Sequence, residues 1–397
     1  MSDTTNDPIV IVSGARTPMG AFQGDFSSIS ANELGAVAIK AAVERAGIKP
    51  SDVQEIIMGN CLMAGQGQAP ARQAGIKAGL PVSAGATTIS KMCGSAMKAA
   101  MQGYDALVAG SVEVVVAGGM ESMTNAPYLM LKGRGGYRMG HSKIYDHMML
   151  DGLEDAYEEG RSMGTFGEDC AAKYHFSRAD QDAYALASVK RAQAATEDGS
   201  FKWEIAPVTV KGRAGDVVID KDEGPVKAKP EKIAALKPAF KKDGTITAAS
   251  SSSINDGAAA LVLMRKSTAD KMGLKPIAKL LAHATHSQEP ELFTTAPIGA
   301  IDKLYKKVGW TSADVDLFEI NEAFAVVPMA AMHEHKIPHE KINVNGGACA
   351  LGHPIGASGA RIMVTLMGAL RKRGLKKGVA ALCIGGGEGT AVAIEML

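Results

Sequence analysis

Residues 86–103 read ATTISKMCGSAMKAAMQG. Gly94, Ser95 and Ala96 are small and the residues after them are good helix formers, so we expect a helix to begin just after Cys93. A thiol at a helix N-terminus faces free N–H groups and the positive end of the helix dipole, which favours the reactive thiolate. The stretch therefore predicts a helix entered through a candidate nucleophile.

The pattern on either side of this stretch is an alternation of short apolar runs and amphipathic helical segments. PIVIVS and VEVVVAGG are typical of buried strands, whereas ELGAVAIKAAVERAG between them has helical periodicity. Such alternation indicates an α/β fold with a mostly parallel sheet.

Three units are expected along the chain. From residue 120 to residue 249 the sequence is richer in Gly, Met and charged residues, which indicates an inserted, loop-rich domain. The rhythm of the first part then resumes. We therefore predict an N-terminal core domain of residues 1–119 and 250–275, an inserted loop domain of residues 120–249 and a C-terminal core domain of residues 276–397.

The second half offers a counterpart to the helix entrance at Cys93. A long helix is expected over residues 356–373, just after His353 and Pro354. If the two halves pack about a pseudo-twofold axis, the two helix entrances converge although they are far apart in sequence. The positive end of the second helix favours a neutral imidazole, the form that can take a proton from a thiol.

Composition excludes several classes of protein. Of 397 residues, 46% are hydrophobic and 21% charged, which is typical of a folded globular chain of more than one domain. The 43 basic and 42 acidic residues nearly balance, so neither nucleic acid nor an anionic membrane is an expected partner. No secretory leader or membrane-spanning stretch is expected, and five widely spaced cysteines favour a reducing, cytoplasm-like compartment.

Two further segments carry side chains suited to the same chemistry. Cys383 ends a strand-like run in VAALCIGGGEG, where glycine N–H groups could stabilise an oxyanion. A dinucleotide-binding loop is a competing interpretation, but a strand-like run rather than a helix follows these glycines. Asn321 follows VDLFEI at a strand end, where open α/β sheets place ligands, although it could equally cap the next helix. A single cysteine or histidine, taken alone, is more often structural.

Together these segments resemble the thiolase family. The chain carries six of its motifs in the family's order, and the resemblance covers essentially the whole chain: CGSAMKA, GGMESMTNAPY, NDGAAA, NEAFA, GGACALGHPIGASGA and CIGGGEG. It implies two core domains of βαβαβαββ plan in five layers, α-β-α-β-α, with a loop domain inserted into the first.

The resemblance also implies catalytic roles. Cys93 matches the nucleophile that becomes acylated, His353 the base that activates it, and Cys383 the thiol that moves a proton at the α-carbon. It implies one oxyanion hole formed by His353 and a water held by Asn321, and another formed by the backbone N–H groups of Cys93 and Gly385.

Binding of coenzyme A is implied at a second set of positions. Ser252, Met163, Ala248 and Lys227 match regions that contact the coenzyme in the family. The chain departs from the family pattern here, since AASSSSINDG is richer in serine and Ser162 replaces a frequent histidine. No nucleotide-contacting arginine is evident in DEGPVKAKPE, where Lys227 or Lys229 could take its place. No resident cofactor is expected, because coenzyme A thioesters are the substrates.

Within the family, GGMESMTNAPYLM and DGLEDAY resemble the acetoacetyl-CoA thiolases. The resemblance therefore implies an acetyl-CoA C-acetyltransferase that interconverts two acetyl-CoA with acetoacetyl-CoA and CoA, in fatty acid metabolism and as a homotetramer (a dimer of dimers). A degradative thiolase for longer 3-ketoacyl-CoA is the nearest competing function.

Three further classes of protein fit the motifs less well. Ketoacyl-carrier-protein synthases should show a second catalytic histidine and HMG-CoA synthase a catalytic glutamate, whereas a noncatalytic acyl-CoA- or lipid-binding protein would need none of Cys93, His353 and Cys383.

A metal site is the remaining possibility. The segment HEHKIPHE holds His333, His335 and His339, which cluster within a few residues of one another. The segment lacks the supporting residues that orient metal ligands, so these histidines are expected on an exposed helix end and loop. No metal is therefore expected.

Overall fold

The first half begins with a strand whose eight residues are all buried. The computed structural model describes residues 7–213 and 215–397. Side chains of successive strand residues point to opposite faces, so a strand with no exposed residue must be covered on both sides. The elements of this half are β1 (Ile9–Arg16), α1 (Ala31–Ala46), β2 (Glu55–Gly59), α2 (Pro70–Lys77), β3 (Gly85–Ile89), α3 (Ser95–Ala109) and β4 (Val114–Ser122).

The segment after β4 contributes helices and short strands that lie outside the main sheet. Helices α4 (Met163–Tyr174) and α5 (Arg178–Glu197) are its largest elements. Its short elements are the strand pairs Tyr128–Leu129 with Tyr145–Asp146 and Val208–Val210 with Val217–Ile219, the π-helical turn Met149–Leu153, the helix Glu223–Lys227 and the 3-10 helix Pro230–Ala235.

The chain then returns to complete the first half and builds the second. These elements are β5 (Asn255–Arg265), β6 (Ala278–Ser287), α6 (Ala296–Val308), β7 (Leu317–Ile320), α7 (Val326–His335), α8 (Ser358–Arg373), β8 (Lys377–Ile384) and β9 (Glu388–Met396). Shorter pieces lie between the labelled elements: the strand Gly20–Ala21, the helices Lys266–Lys271 and Ala348–Leu351, and the 3-10 helices Pro50–Asp52, Pro290–Thr295, Ser312–Asp314 and His339–Lys341.

The two halves follow the same plan. The strand order is β7-β8-β9-β6-β1-β5-β4-β2-β3, so β1 and β6 lie at the centre and the flanking strands are arranged alike on both sides. The sheets of the two halves are joined where β1 pairs with β6, through Val10 with Lys279 and Ile11 with Ala278. In the second half the third strand of the plan is reduced to one bridge between Phe318 and Ile342.

The expectation of a mostly parallel sheet is wrong. Strand pairs β2–β3, β2–β4 and β7–β8 are parallel, but β5 pairs antiparallel with both β1 and β4, and β9 pairs antiparallel with both β6 and β8. Each half therefore has a mixed sheet, because its last strand runs against the earlier ones.

Three apolar cores fill the spaces between five layers, and this arrangement confirms the predicted thiolase-like architecture. One core lies under α1 and includes Leu34 and Val116, and a second lies under α6 and includes Leu304. The third lies between the two halves, where Met97 of α3 and Ile362 of α8 belong to one cluster. Helices α3 and α8 are therefore the central layer, with a sheet on each side.

Small residues allow the central helices to pack closely. Ala96 of α3 and Ala360 of α8 are fully buried in one small cluster with Ala259 of β5. A Cβ placed on Gly359 would lie 2.3 Å from the backbone nitrogen of Met97. Only glycine fits at that contact, so the distance between α3 and α8 is set by the backbone.

The inserted segment is fixed to β1 by a buried ion-pair cluster. The guanidinium of Arg16 donates to Asp222 at 2.6 Å and to Glu204 at 2.9 Å, and all three side chains are buried. The nearby carboxylates raise the pKa of Arg16 against the opposing effect of burial. The limits of the three predicted domains remain a prediction, although β4 continues to Ser122, beyond the boundary proposed at residue 119.

None of the helices in the described ranges is both long and apolar enough to cross a bilayer.

The close contact at Gly359 predicts a sensitive position. Replacement by alanine should lower the free energy of unfolding by about 1–3 kcal/mol, because the new methyl group meets rigid backbone. Gly103→Ala in α3 is the matched control, since its Cβ would meet movable side-chain atoms of Val115 and Leu263 at 3.1 and 3.3 Å. Urea denaturation of both variants measures the difference, and equal stability of the two would contradict the packing argument.

Candidate active site

Cys93 lies in a tight turn that is held by its neighbours. Met92 has a φ of 45°, a left-handed conformation that is unusual for a residue with a side chain. The hydroxyl of Ser95 donates to the carbonyl of Met92 at 2.7 Å and accepts from the backbone N–H of Lys91 at 2.7 Å. Helix α3 begins at Ser95, as predicted. The turn therefore fixes the thiol at the helix entrance.

The resting state of Cys93 differs from the expected thiolate. Burial raises the pKa of this thiol to about 11, although a hydrogen bond from the backbone N–H of Gly385 favours the charged form. Removal from water outweighs the helix terminus here. Cys93 is therefore a neutral thiol that needs a base.

His353 is buried in a form suited to be that base. Burial, assisted by the positive charge of Arg361, lowers the pKa of the imidazole to about 3. Its Nδ1 lies 2.5 Å from the hydroxyl oxygen of Ser358, and that hydroxyl donates to the carbonyl of Pro354 at 2.9 Å. The hydroxyl can then accept from Nδ1–H, which leaves the lone pair of Nε2 available to take a proton.

Asn321 presents its amide to the same imidazole. The Nδ2 atom lies 3.5 Å from Nε2 of His353, while Oδ1 accepts from Nη2 of Arg361 at 3.4 Å. The residue follows β7, and its backbone N–H donates to the carbonyl of Ala381 in β8 at 3.0 Å. An amide oxygen occupied by Arg361 turns the amide N–H groups toward the site.

Cys383 and Gly385 complete the site from the second half. Cys383 is fully buried near the end of β8, and burial raises its pKa well above the ordinary value. Gly385 follows β8 and turns its backbone N–H to the sulfur of Cys93. The structure thus brings Cys93, His353, Asn321, Cys383 and Gly385 into one region. The convergence of Cys93 and His353 is the part that the two helix entrances predicted.

Cys93, His353 and Gly385 line one small cavity. Its volume is about 60 Å³, and its other walls are mainly apolar. A second cavity of about 280 Å³ adjoins it. Six residues line both cavities: Leu153, Met163, Ser252, Phe324, His353 and Ile355. Cys93 and His353 therefore lie along a longer, largely apolar channel.

The residues expected to contact coenzyme A fall into two groups. Ser252 and Met163 line the channel, and Ser162 lines its outer part. Ala248 and Lys227 instead line a separate cavity of about 350 Å³. Their roles in binding stay predictions.

Sequence reasoning assigned no role to Glu121, although it lies in the motif GGMESMTNAPY. Its buried carboxylate accepts from the backbone N–H groups of Cys61 and Gly356, each at 2.9 Å, and from the side chain of Asn60 at 2.8 Å. Burial raises its pKa to about 7. Glu121 thereby links the segment before the long helix α8 to the first half.

Ser358, Phe293 and Phe324 were also missed. Ser358 lies in the same motif as His353, GGACALGHPIGASGA, where it is the third residue of GASGA. A hydroxyl so close to His353 in sequence was the available signal that Ser358 binds the imidazole. Phe293 and Phe324 line the small cavity beside Cys93, His353 and Gly385, called the catalytic cavity below, but only tertiary packing brings them there.

The three histidines of HEHKIPHE have separate aromatic neighbours. The ring of His333 meets Tyr174, that of His335 meets Tyr305, and that of His339 stacks on Tyr184. Across residues 7–213 and 215–397, no group of three or more His, Cys, Asp or Glu side chains could hold a metal ion.

Comparison with known proteins gives matches to both halves. The family model described as "Thiolase, N-terminal domain" matches residues 9–267, and "Thiolase, C-terminal domain" matches residues 274–396. The chain belongs to the thiolase family. The resemblance drawn from the six motifs is therefore confirmed.

Individual relatives are similar over nearly their whole length. The acetyl-CoA acetyltransferase of Chromobacterium violaceum is 49% identical over 390 residues, which cover 98% of this chain and 99% of that protein. Acetyl-CoA acetyltransferase 2 of Arabidopsis thaliana is 49% identical over 98% of this chain and 97% of that protein.

Solved structures agree with the fold. The acetyl-CoA acetyltransferase of Bacillus anthracis has a TM-score of 0.95 and 41% identity, covering 98% of this chain and 99% of that one. A thiolase from Ascaris suum in complex with coenzyme A has a TM-score of 0.93 and 44% identity, covering 98% of this chain and all of that one.

The buried imidazole predicts a pH dependence of stability. The pKa of His353 is lowered from 6.5 to about 3 by folding, so between these pH values the unfolded chain binds a proton that the folded chain does not. This thiolase should therefore lose stability through His353 as the pH falls across that window, by at most about 1.4 kcal/mol per pH unit. His353→Gln removes the ionisable group, so its stability should fall less steeply.

Urea denaturation at several pH values measures the two slopes. His333→Gln is the matched control, because that side chain is 65% exposed and remains hydrated in both states. Parallel pH profiles for wild type and His353→Gln would contradict a neutral, buried imidazole.

Proposed function

We propose that the protein is an acetyl-CoA C-acetyltransferase, an acyltransferase that reversibly converts two acetyl-CoA into acetoacetyl-CoA and CoA through an acetyl-cysteine. The observation that carries the proposal is the small cavity in which the thiol of Cys93, the imidazole of His353 and the N–H of Gly385 meet. Full-length relatives named acetyl-CoA acetyltransferase support the same activity.

In the first half-reaction, Nε2 of His353 takes the proton of Cys93 as the sulfur attacks the thioester carbonyl. The uncharged imidazole and the raised pKa of the thiol mean that this transfer accompanies attack rather than preceding it. The thiol of Cys383 then protonates the departing CoA thiolate. The enzyme is left with acetyl-Cys93, protonated His353 and the thiolate of Cys383.

In the second half-reaction, the thiolate of Cys383 removes an α-proton from a second acetyl-CoA. Burial raises the pKa of Cys383, so this thiolate is a strong base. The enolate oxygen is stabilised by Nε2–H of His353 and by a water held by Asn321, while N–H groups of Cys93 and Gly385 hold the acetyl oxygen. The enolate carbon attacks the acetyl carbonyl, and the departing Cys93 thiolate regains its proton from His353.

The channel suits the pantetheine arm of coenzyme A. Its walls are largely apolar, with Ser252, Met163 and the reacting thiol placed along it. Lys227, Lys229 and Lys232 line the separate cavity beside Ala248. Their positive charge would suit the phosphates of the coenzyme, which extends the proposed contacts beyond Lys227.

A homotetramer in a reducing, cytoplasmic compartment completes the proposal. Strand β3 lies at one edge of the sheet with partly exposed residues, so a second copy could pair there. The segment after β4 exposes apolar side chains that a further dimer could cover: Tyr128, Met130, Leu131, Met139, Ile144 and Tyr157. All five cysteines are free thiols.

Acetylation of Cys93 tests the mechanism. Incubation with acetyl-CoA should add one acetyl group to Cys93, located by proteolysis and mass spectrometry. Cys383→Ala should still accept some acetyl group but form no acetoacetyl-CoA, because the base for the α-proton is missing. Cys170→Ala is the control, since Cys170 lines neither the catalytic cavity nor the cavity beside Ala248. Absence of an adduct at Cys93 in the wild type would refute the mechanism.

The acyl chain length of the preferred substrate distinguishes the proposed activity from that of a degradative thiolase. The catalytic cavity has a volume of about 60 Å³, and Met92, Gly152 and Phe293 line it without lining the adjoining cavity, which leaves little room beyond an acetyl group. We expect kcat/KM for thiolysis to fall by about tenfold or more between acetoacetyl-CoA and 3-ketohexanoyl-CoA. A preference for the longer substrate would instead indicate a degradative 3-ketoacyl-CoA thiolase.

A further inference from the structure

An ion pair connects the two loops that form the reaction centre. The ammonium group of Lys91 binds Oε2 of Glu388. Lys91 precedes Cys93 by two residues, and Glu388 follows Gly385 by three. The pair therefore joins the loop of the first half that holds the nucleophile to the loop of the second half that holds the N–H donor.

Both partners are held on their own side. The backbone N–H of Lys91 donates to the hydroxyl of Ser95 at 2.7 Å, which ties it to the start of α3. The other carboxylate oxygen of Glu388 accepts from the hydroxyl of Ser287 at 3.0 Å. Glu388 also opens β9 and pairs with Ile384 of β8. Because each partner is anchored in its own half, the ion pair can hold the two loops in a fixed position relative to each other.

The loop between β8 and β9 needs such support. Gly386 and Gly387 have φ values of 91° and 86°, and glycines have the widest choice of backbone conformation. The carbonyl of Gly387 accepts from the N–H of Gln288 at 2.8 Å, but that bond lies within the second half. It does not determine where the N–H of Gly385 lies relative to Cys93.

We propose that Lys91 and Glu388 are a positioning pair that holds the N–H of Gly385 where it can donate to the oxygen of the acyl group on Cys93. This inference rests on the proposed function, because Gly385 matters in this way only if an oxyanion forms there. Neither side chain lines the catalytic cavity, so both act through the loops that carry Cys93 and Gly385. Oxyanion donors are effective only when their position is fixed before reaction.

Single substitutions and a charge reversal test the pair. Lys91→Met and Glu388→Gln should each lower kcat about tenfold, less than the loss of a whole oxyanion donor. KM should stay within about twofold, because the channel is unchanged. The double variant Lys91→Glu/Glu388→Lys should recover kcat to within about threefold of wild type, and Lys91→Arg should also retain activity.

A second ion pair provides the matched control. Lys279 and Glu395 lie 2.9 Å apart between β6 and β9, and their side chains are 32% and 29% exposed, against 19% and 31% for Lys91 and Glu388. Lys279→Met and Glu395→Gln should leave kcat unchanged. All four single variants should unfold within a few degrees of wild type, since ion pairs that remain partly exposed to solvent contribute little to stability.

The outcomes distinguish failure of the positioning role from failure of the proposed function. Full kcat in Lys91→Met and Glu388→Gln, or equal losses in the control pair, would overturn the positioning role. Charge reversal without recovery would overturn it as well. If the wild-type protein forms no acetyl-Cys93, the proposed function itself fails, whatever the variants do.

Discussion

The close packing of α3 against α8 is the constraint on which the rest of the structure depends. Each helix has one of the two proposed reacting groups at its entrance, Cys93 before α3 and His353 before α8. Because Gly359 leaves no room for a side chain beside Met97, backbone contacts set the separation of the two helices. The site is therefore located by the innermost layer of the fold rather than by mobile surface loops, which is where precise placement is easiest to maintain.

Burial in that layer also sets the protonation states. It raises the pKa of Cys93 to about 11 and lowers that of His353 to about 3, so both groups are uncharged before substrate arrives. Charge then develops only as bonds to the substrate form, where N–H donors such as that of Gly385 are already in place. Ser358 determines which imidazole nitrogen can act, because its hydroxyl occupies Nδ1.

Local sequence patterns predicted the features that depend on neighbouring residues in the chain. Runs of small residues marked the helix entrances at Cys93 and His353, and periodicity marked the alternation of strands and helices. Periodicity carries no information about strand direction, so the antiparallel placement of β5 and β9 was missed. The expected thiolate at Cys93 was wrong because a helix terminus is visible in sequence whereas burial is not. The partnership of Lys91 with Glu388 depends on tertiary contact, which no local pattern shows.

The position of β5 has a consequence for biosynthesis. This strand lies between β1 and β4, yet it follows the whole inserted segment in the chain. During translation β1 and β4 cannot be joined through β5 until residues 255–265 have been made. Early intermediates therefore expose unpaired strand edges. His353, Cys383 and Gly385 emerge later still. The nascent protein therefore lacks part of the proposed catalytic centre until residue 385 has been made, and a chain terminated before that residue would be inert.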